Sequence, residues 1–297
     1  MISTTRSATR PGTATLIALA ALLASTALLY GRVIIALVTS WATDDNYSHG
    51  FLIVPIASYF VWERRSQLAA ARRAPSAIGL VVVLGSIATL VAGVLGAEMF
   101  LTRISLLGAL TGTVLFVLGW DHLRILAFPL AFLVLMIPIP AIVFNQIAFP
   151  LQLLASRFGE AALQLAAIPV LREGNVITLA NTQLEVAEAC SGIRSLVSLL
   201  TLGIVYGYFT DGRWWTRTTI ALATIPIAIV TNGMRVAGTG VAAHYIGPEA
   251  ATGFFHEFSG WVVFVAAFAL LFLAMRLLLA IAPASPVTKR VEVANVA

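Results

Sequence analysis

Apolar runs long enough, or nearly long enough, to cross a lipid bilayer recur along the whole of this 297-residue chain. They lie near residues 14 to 38, 51 to 62, 77 to 96, 104 to 119, 122 to 138, 192 to 209, 218 to 238 and 259 to 281, where a span needs roughly 20 apolar residues. This serial pattern predicts an all-α polytopic membrane protein with about eight transmembrane helices. The second run is short, with Trp41 or Tyr47 marking its entrance, and the fourth and fifth meet at the tight turn Trp120-Asp121-His122. Composition agrees: 60% of residues are hydrophobic and 10% charged, and no water-soluble domain of this length could hide that much apolar surface.

The basic isoelectric point, near 9.9, could suggest a nucleic-acid partner. The arginines and lysines instead fall in short clusters beside apolar runs, as topology signals do, so no nucleic acid is expected and the partner surface is lipid. If eight spans alternate, Arg6, Arg10, Arg64, Arg65, Arg72, Arg73, Arg124, Arg213, Arg217, Arg276, Lys289 and Arg290 share one side, which is then the cytoplasm. Asp44, Asp45, Glu98, Glu160, Glu173, Glu185, Glu188, Glu249 and Glu257 fall on the other. Both termini are expected inside, with residues 1–13 and 283–297 as tails and 14–282 as a single transmembrane domain. The first run is read as an uncleaved helix rather than a signal peptide.

The largest stretch between spans, about 139–189, falls on the outer side. Phe144, Ile147, Leu151, Leu154 and Phe158 recur there at helical spacing among polar residues, which predicts an interfacial helix. Val176–Leu179 and Leu184–Val186 flank Ala180-Asn181-Thr182-Gln183 and predict a small β-hairpin. That hairpin delivers the chain to the lone cysteine.

Cys190 opens the sixth run at its outer end, Arg235 closes the seventh at its outer end, and His256 precedes the eighth on the same side. A thiol at a helix N-terminus faces unsatisfied N–H groups and the positive end of the macrodipole, both of which favour thiolate. Imidazole titrates near neutral pH and can pair with the thiolate and later protonate a leaving amine. A guanidinium cannot act as a base but suits a developing oxyanion. Together these parts serve acyl transfer through a thioester. Each also has a plainer reading: cysteine as a small buried hydrophobe, arginine as a snorkelling anchor, histidine as a loop residue. His244 is a rival for the imidazole. Asp44, Asp45, Tyr47 and His49 form a second outer cluster that either shapes a substrate entrance or is a hydrated loop. No ligand pair has i, i+4 spacing of the zinc-protease kind, so neither metal nor cofactor is assigned.

The segments Glu188-Ala189-Cys190-Ser191-Gly192-Ile193-Arg194, Asn232-Gly233-Met234-Arg235-Val236 and His256 followed by Ser259-Gly260-Trp261 resemble the exosortase family of bacterial membrane transpeptidases, with archaeosortases as relatives. Tyr47-Ser48-His49-Gly50-Phe51 and Ile168-Pro169-Val170-Leu171-Arg172-Glu173-Gly174-Asn175 carry the resemblance further, from about Trp41 to Leu273. It implies a thiol protease of the bacterial inner membrane, active on its periplasmic face, that cleaves C-terminal sorting signals of exported proteins. Such a signal is a short motif, often Pro-Glu-Pro, followed by a transmembrane helix and a basic cluster. By motif position the resemblance assigns Cys190 as nucleophile, Arg235 as the arginine and His256 as the histidine; Arg194, Glu188, Asn232, His49 and Ser259 are expected to bind substrate or support these three. The acceptor that resolves the thioester, whether water or a lipid- or glycan-linked nucleophile, is left open. The alternative is a transporter or structural component of exopolysaccharide export without peptidase activity.

Overall fold

The computed structural model describes residues 13–180, 182–186, 192–247 and 253–283. It is helical throughout except for one small sheet. The helices are α1 (Thr13–Thr43), α2 (Gly50–Glu63), α3 (Arg65–Ala70), α4 (Ala77–Leu95), α5 (Met99–Val117), α6 (Trp120–Phe132), α7 (Ala141–Leu165), α8 (Ile193–Thr210), α9 (Trp214–Tyr245) and α10 (Gly253–Ile281); the strands are β1 (Val170–Glu173), β2 (Val176–Leu179) and β3 (Gln183–Glu185). Among the described residues six helices are long and apolar enough to cross a membrane, or seven if α6 and α7 together count as one broken span. The expected figure of eight is therefore approximate. The shortfall comes from α2 and α6, which at 14 and 13 residues are too short to count as spans on their own.

The chain divides into two compact units, one up to Pro138 and one from Ile139. In the first unit α4 and α5 form a close antiparallel pair. Glycines set that distance: a Cβ on Gly112 would lie 2.8 Å from the Val83 amide nitrogen, and one on Gly93 would lie 2.9 Å from Thr102. Small residues at such contacts let backbones approach where lipid supplies no hydrophobic drive. The unit is also stitched by polar groups. Tyr30 Oη donates to the Ser105 carbonyl at 3.2 Å, and the buried Arg103 guanidinium donates to Ser40 Oγ at 2.6 Å.

The end of α6 shows how a proline-rich break is tolerated. A short 3-10 turn, Leu133–Met136, follows α6, and the Pro138 and Pro140 that come next offer no N–H to the carbonyls behind them. Two side chains supply the missing donors: Trp41 Nε1 donates to the Met136 carbonyl at 2.9 Å, and His49 Nε2 sits 3.2 Å from the Leu135 carbonyl. Trp41 thus does more than mark an entrance, since its indole caps a broken helix.

In the second unit α9 is the hub and touches α7, α8 and α10. It runs antiparallel to α8, with Gly203 against Thr224 and Gly207 against Ile220. Leu199, Ile220, Ala228, Ala267, Leu271 and Met275 bury the seam shared with α10. On its other side α9 meets α7 through Gly159 against Val236 and Gly240 against Leu163, where an added Cβ would come within 2.6 and 2.8 Å.

Two sequence expectations gain detail here. The helix predicted from the stripe Phe144, Ile147, Leu151, Leu154, Phe158 exists, but the face it buries is Phe144, Ala148, Ala155, Ser156, Gly159 and Leu163. Ile147, Leu154 and Phe158 are exposed. Close helix packing selects small residues for the protein side and leaves the large apolar ones outward, so the stripe and the packed face are different faces of one helix. The predicted hairpin also gains a strand. β1 pairs antiparallel with β2, Glu173 facing Val176, around a Gly174-Asn175 turn with Gly174 at φ 66°. Gly-Asn between two short β-forming runs is itself a hairpin signal. The sheet lays Ile177, Leu179, Leu184 and Val186 against α7 and α9, and Arg172 of β1 clasps Glu160 of α7 at 2.7 Å.

Candidate active site

Arg235 belongs to α9, the hub of the second unit. It does not close a helix, as the apolar run suggests: α9 continues to Tyr245, ten residues or about 15 Å beyond it. The stretch after residue 238 mixes Gly238, Thr239 and Gly240 with alanines, so the hydropathy fades before the helix does. Arg235 is half buried, and its Nε lies 3.4 Å from Ser259 Oγ on α10. A Cβ on Gly260 would come to 3.5 Å from the guanidinium. The small pair Ser259-Gly260 thus gives the guanidinium a flat place to lie along α10.

One turn earlier on α9, Asn232 is buried, at 3% exposure. It packs against Gly192, the residue before α8. Gly192 adopts φ 81° and ψ 0°, the left-handed conformation, and a Cβ there would sit 2.7 Å from the Asn232 side-chain carbon. Residues three apart on a helix share a face. Asn232 and Arg235 therefore present one stripe of α9, and the chain entering α8 and the first turns of α10 both meet that stripe.

The other expected residues fall out as follows. Cys190 and Glu188 lie outside the described residues. His256 falls in the first turn of α10, one turn before Ser259, rather than in a loop ahead of the helix; its side chain is outside the description. Arg194 is half buried in the first turn of α8. His244 stacks edge-on against Tyr245 at 4.9 Å in the last turn of α9, nine residues or about 13 Å along the axis from Arg235. His49 belongs to the first unit and is buried with its Nε2 on the Leu135 carbonyl, and burial pushes its pKa down from the ordinary imidazole value. Among the described residues no cluster of histidines, cysteines and carboxylates could hold a metal.

A second polar centre lies at the far ends of the same helices. Asp211, fully buried between α8 and α9, accepts from the backbone N–H and the Nε of Arg213 at 2.9 and 3.2 Å. Arg213 also donates to the Ala282 carbonyl beyond α10 at 2.8 Å, and Arg217 Nε donates to the Asp211 carbonyl at 2.6 Å. Burial alone would raise the Asp211 pKa, but the hydrogen bonds from Arg213 overcome it and hold the carboxyl below its usual value. This knot fixes α8, α9 and α10 relative to one another at the end opposite Arg235. In the sequence Arg213 and Arg217 stand out only as charges.

The transmembrane exosortase family matches residues 41–273, the stretch that contains all of these elements except most of α1 and the last turns of α10. The chain belongs to that family. Neither the curated proteins nor the solved structures give a match. A multi-pass membrane protein of the exosortase family is consistent with a transpeptidase, and the half-buried Arg235 lies beside Ser259.

Proposed function

We propose that this exosortase is a cysteine transpeptidase of the bacterial inner membrane that cleaves C-terminal sorting signals of exported proteins on the periplasmic side. The observation that carries the proposal is the shared stripe of α9. Gly192, two residues after Cys190, packs on Asn232, and Arg235 lies one turn further along the same face. Cys190 precedes Gly192 by only two residues, an extended reach of at most about 7 Å, and this short tether supports the reading. His256, one turn before the Arg235-bound Ser259, enters the same neighbourhood from α10.

The chemistry follows from those roles. The Cys190 thiolate attacks the scissile carbonyl carbon, and the C=O electrons move onto oxygen, where the Arg235 guanidinium stabilises the oxyanion. As the tetrahedral intermediate collapses, the C–N bond breaks and the His256 imidazolium gives its proton to the departing amine. An acyl thioester remains. An acceptor hydroxyl, amine or water, deprotonated by the now neutral imidazole, attacks it and expels the thiolate. Ser259 and Gly260 position the guanidinium, Asn232 seats the Cys190 segment, and the substrates are exported proteins that carry a membrane helix and a basic cluster after the cleavage site.

Replacement of Cys190 by alanine in the full chain tests this. The variant should insert normally while uncleaved exported proteins accumulate, seen by mass spectrometry of their C-termini. Normal processing by that variant removes the proposal, and intact processing with lost glycan export would point to an export component instead.

A further inference from the structure

β3 is an edge strand of the sheet, and Cys190 follows its end, Glu185, by only five positions. The ladder fixes which of its backbone groups face outward. Leu179 N–H donates to the Thr182 carbonyl at 2.8 Å and Val186 N–H donates to the Asn175 carbonyl at 2.8 Å. With Ile177 opposite Leu184, Thr182, Leu184 and Val186 turn their amides toward β2. Alternate residues of an antiparallel strand turn theirs the other way. Gln183 and Glu185 therefore direct N–H and C=O to the free edge, where no further strand pairs with them among the described residues. The strand is firmly seated, since Leu184 and Val186 are buried against α7 and α9. Neither a proline nor a bulge blunts its edge.

We propose that this edge docks the substrate: an extended segment of the protein to be cleaved pairs with β3 as a fourth strand. The inference rests on Cys190 as the nucleophile of the reaction. The occupant follows from the spacing. Two outward donor–acceptor sets two residues apart repeat at about 6.8 Å, the repeat of an extended peptide backbone, whereas a helix has already used its own amides. A peptide paired there lies beside the strand that ends five residues before Cys190 in the chain. Five residues span at most about 17 Å, so the paired segment lies within about five residues of the scissile bond. Recognition of this kind holds backbone and leaves sequence choice to side-chain pockets.

Proline substitution tests it, because Gln183→Pro and Glu185→Pro remove outward N–H groups that the β2–β3 ladder does not use. In cells expressing the full chain, each should slow cleavage of the exported proteins on the order of fivefold to tenfold, the value of one hydrogen bond. Gln183→Ala and Glu185→Ala should stay close to wild type, and Cys190 should react with a membrane-permeant maleimide at the wild-type rate in all four. Wild-type cleavage by the proline variants overturns the docking edge, and so does equal loss in the alanine variants. If a proline variant loses maleimide labelling, an α-hydroxy acid incorporated at 185, which replaces the N–H by oxygen without a ring, decides between the same two results. Cys190→Ala is run alongside: cleavage there sinks the nucleophile assignment, whereas a dead Cys190→Ala beside fully active proline variants sinks the edge alone.

Discussion

Gly192 and Asn232 meet so closely that only glycine fits at 192, on two separate counts. The backbone is left-handed at φ 81°, and an added methyl would sit 2.7 Å from the Asn232 side-chain carbon. Gly192→Ala should cost about 1–2 kcal/mol for the conformation alone, with the collision added. The double variant with Asn232→Ala should recover the part of the collision made by Cγ and Nδ2, and leave the Asn232 Cβ contact at 2.9 Å and the conformational part. Thermal unfolding in detergent reads both, and full additivity of the two changes would contradict the contact.

Arg235 should tolerate little change. Loss of one preorganised oxyanion donor costs about 10²–10³-fold in turnover, so Arg235→Ala should fall by that order. Arg235→Lys should recover only part of it, since an ammonium lacks the planar fork. Ser259→Ala should cost no more than roughly fivefold, one modest hydrogen bond, in keeping with the 3.4 Å separation. Steady-state cleavage rates on a peptide from an identified substrate measure all three.

The Asp211–Arg213 knot gives a dependence on acid. The folded pKa of Asp211 is depressed, so its contribution to stability is present above the ordinary carboxylate pKa and is lost as pH falls through the lower, folded value. Asp211→Asn should flatten that acid limb. It should also destabilise at neutral pH by about 1–3 kcal/mol, because the half-buried Arg213 loses its charged hydrogen-bond partner. Melting temperature against pH for the two proteins is the check.

His49 separates a structural from a catalytic role. His49→Ala should leave the Leu135 carbonyl without its donor and cost about 1–3 kcal/mol, and His49→Gln, which keeps an N–H donor, should restore part of that. The cleavage rate per folded molecule should not change in either. A lower rate at undiminished stability would return His49 to the substrate entrance.

Much of the fold was legible because apolar runs and helices coincide wherever the helix ends at the membrane boundary. The runs at 77 to 96 and 192 to 209 correspond to Ala77–Leu95 and Ile193–Thr210 within a residue. Legibility fails where helix and hydropathy part company. α9 runs on past residue 238 through Gly238 and Gly240 to Tyr245, which moves Arg235 from a helix end to a helix interior. The packed face of α7 was hidden for a related reason, since glycine, alanine and serine carry little hydropathy yet mark the closest contacts. Trp41 and His49 were visible as residues, but their role as donors to Met136 and Leu135 depends on a fold that brings sequence positions some ninety apart together. At the site, the Asn232 and Arg235 pair and the Ser259-Gly260 platform were legible as motif positions; the bond between Arg235 and Ser259 needed the structure.

The most direct test of the account is the intact mass of the enzyme quenched in acid during turnover. A covalent adduct on Cys190 equal to the N-terminal part of the substrate, released by hydroxylamine and missing from Cys190→Ala, is the expected result. Product formed while no adduct ever accumulates in the wild type or in an acceptor-starved reaction, or formed by Cys190→Ala itself, would contradict it.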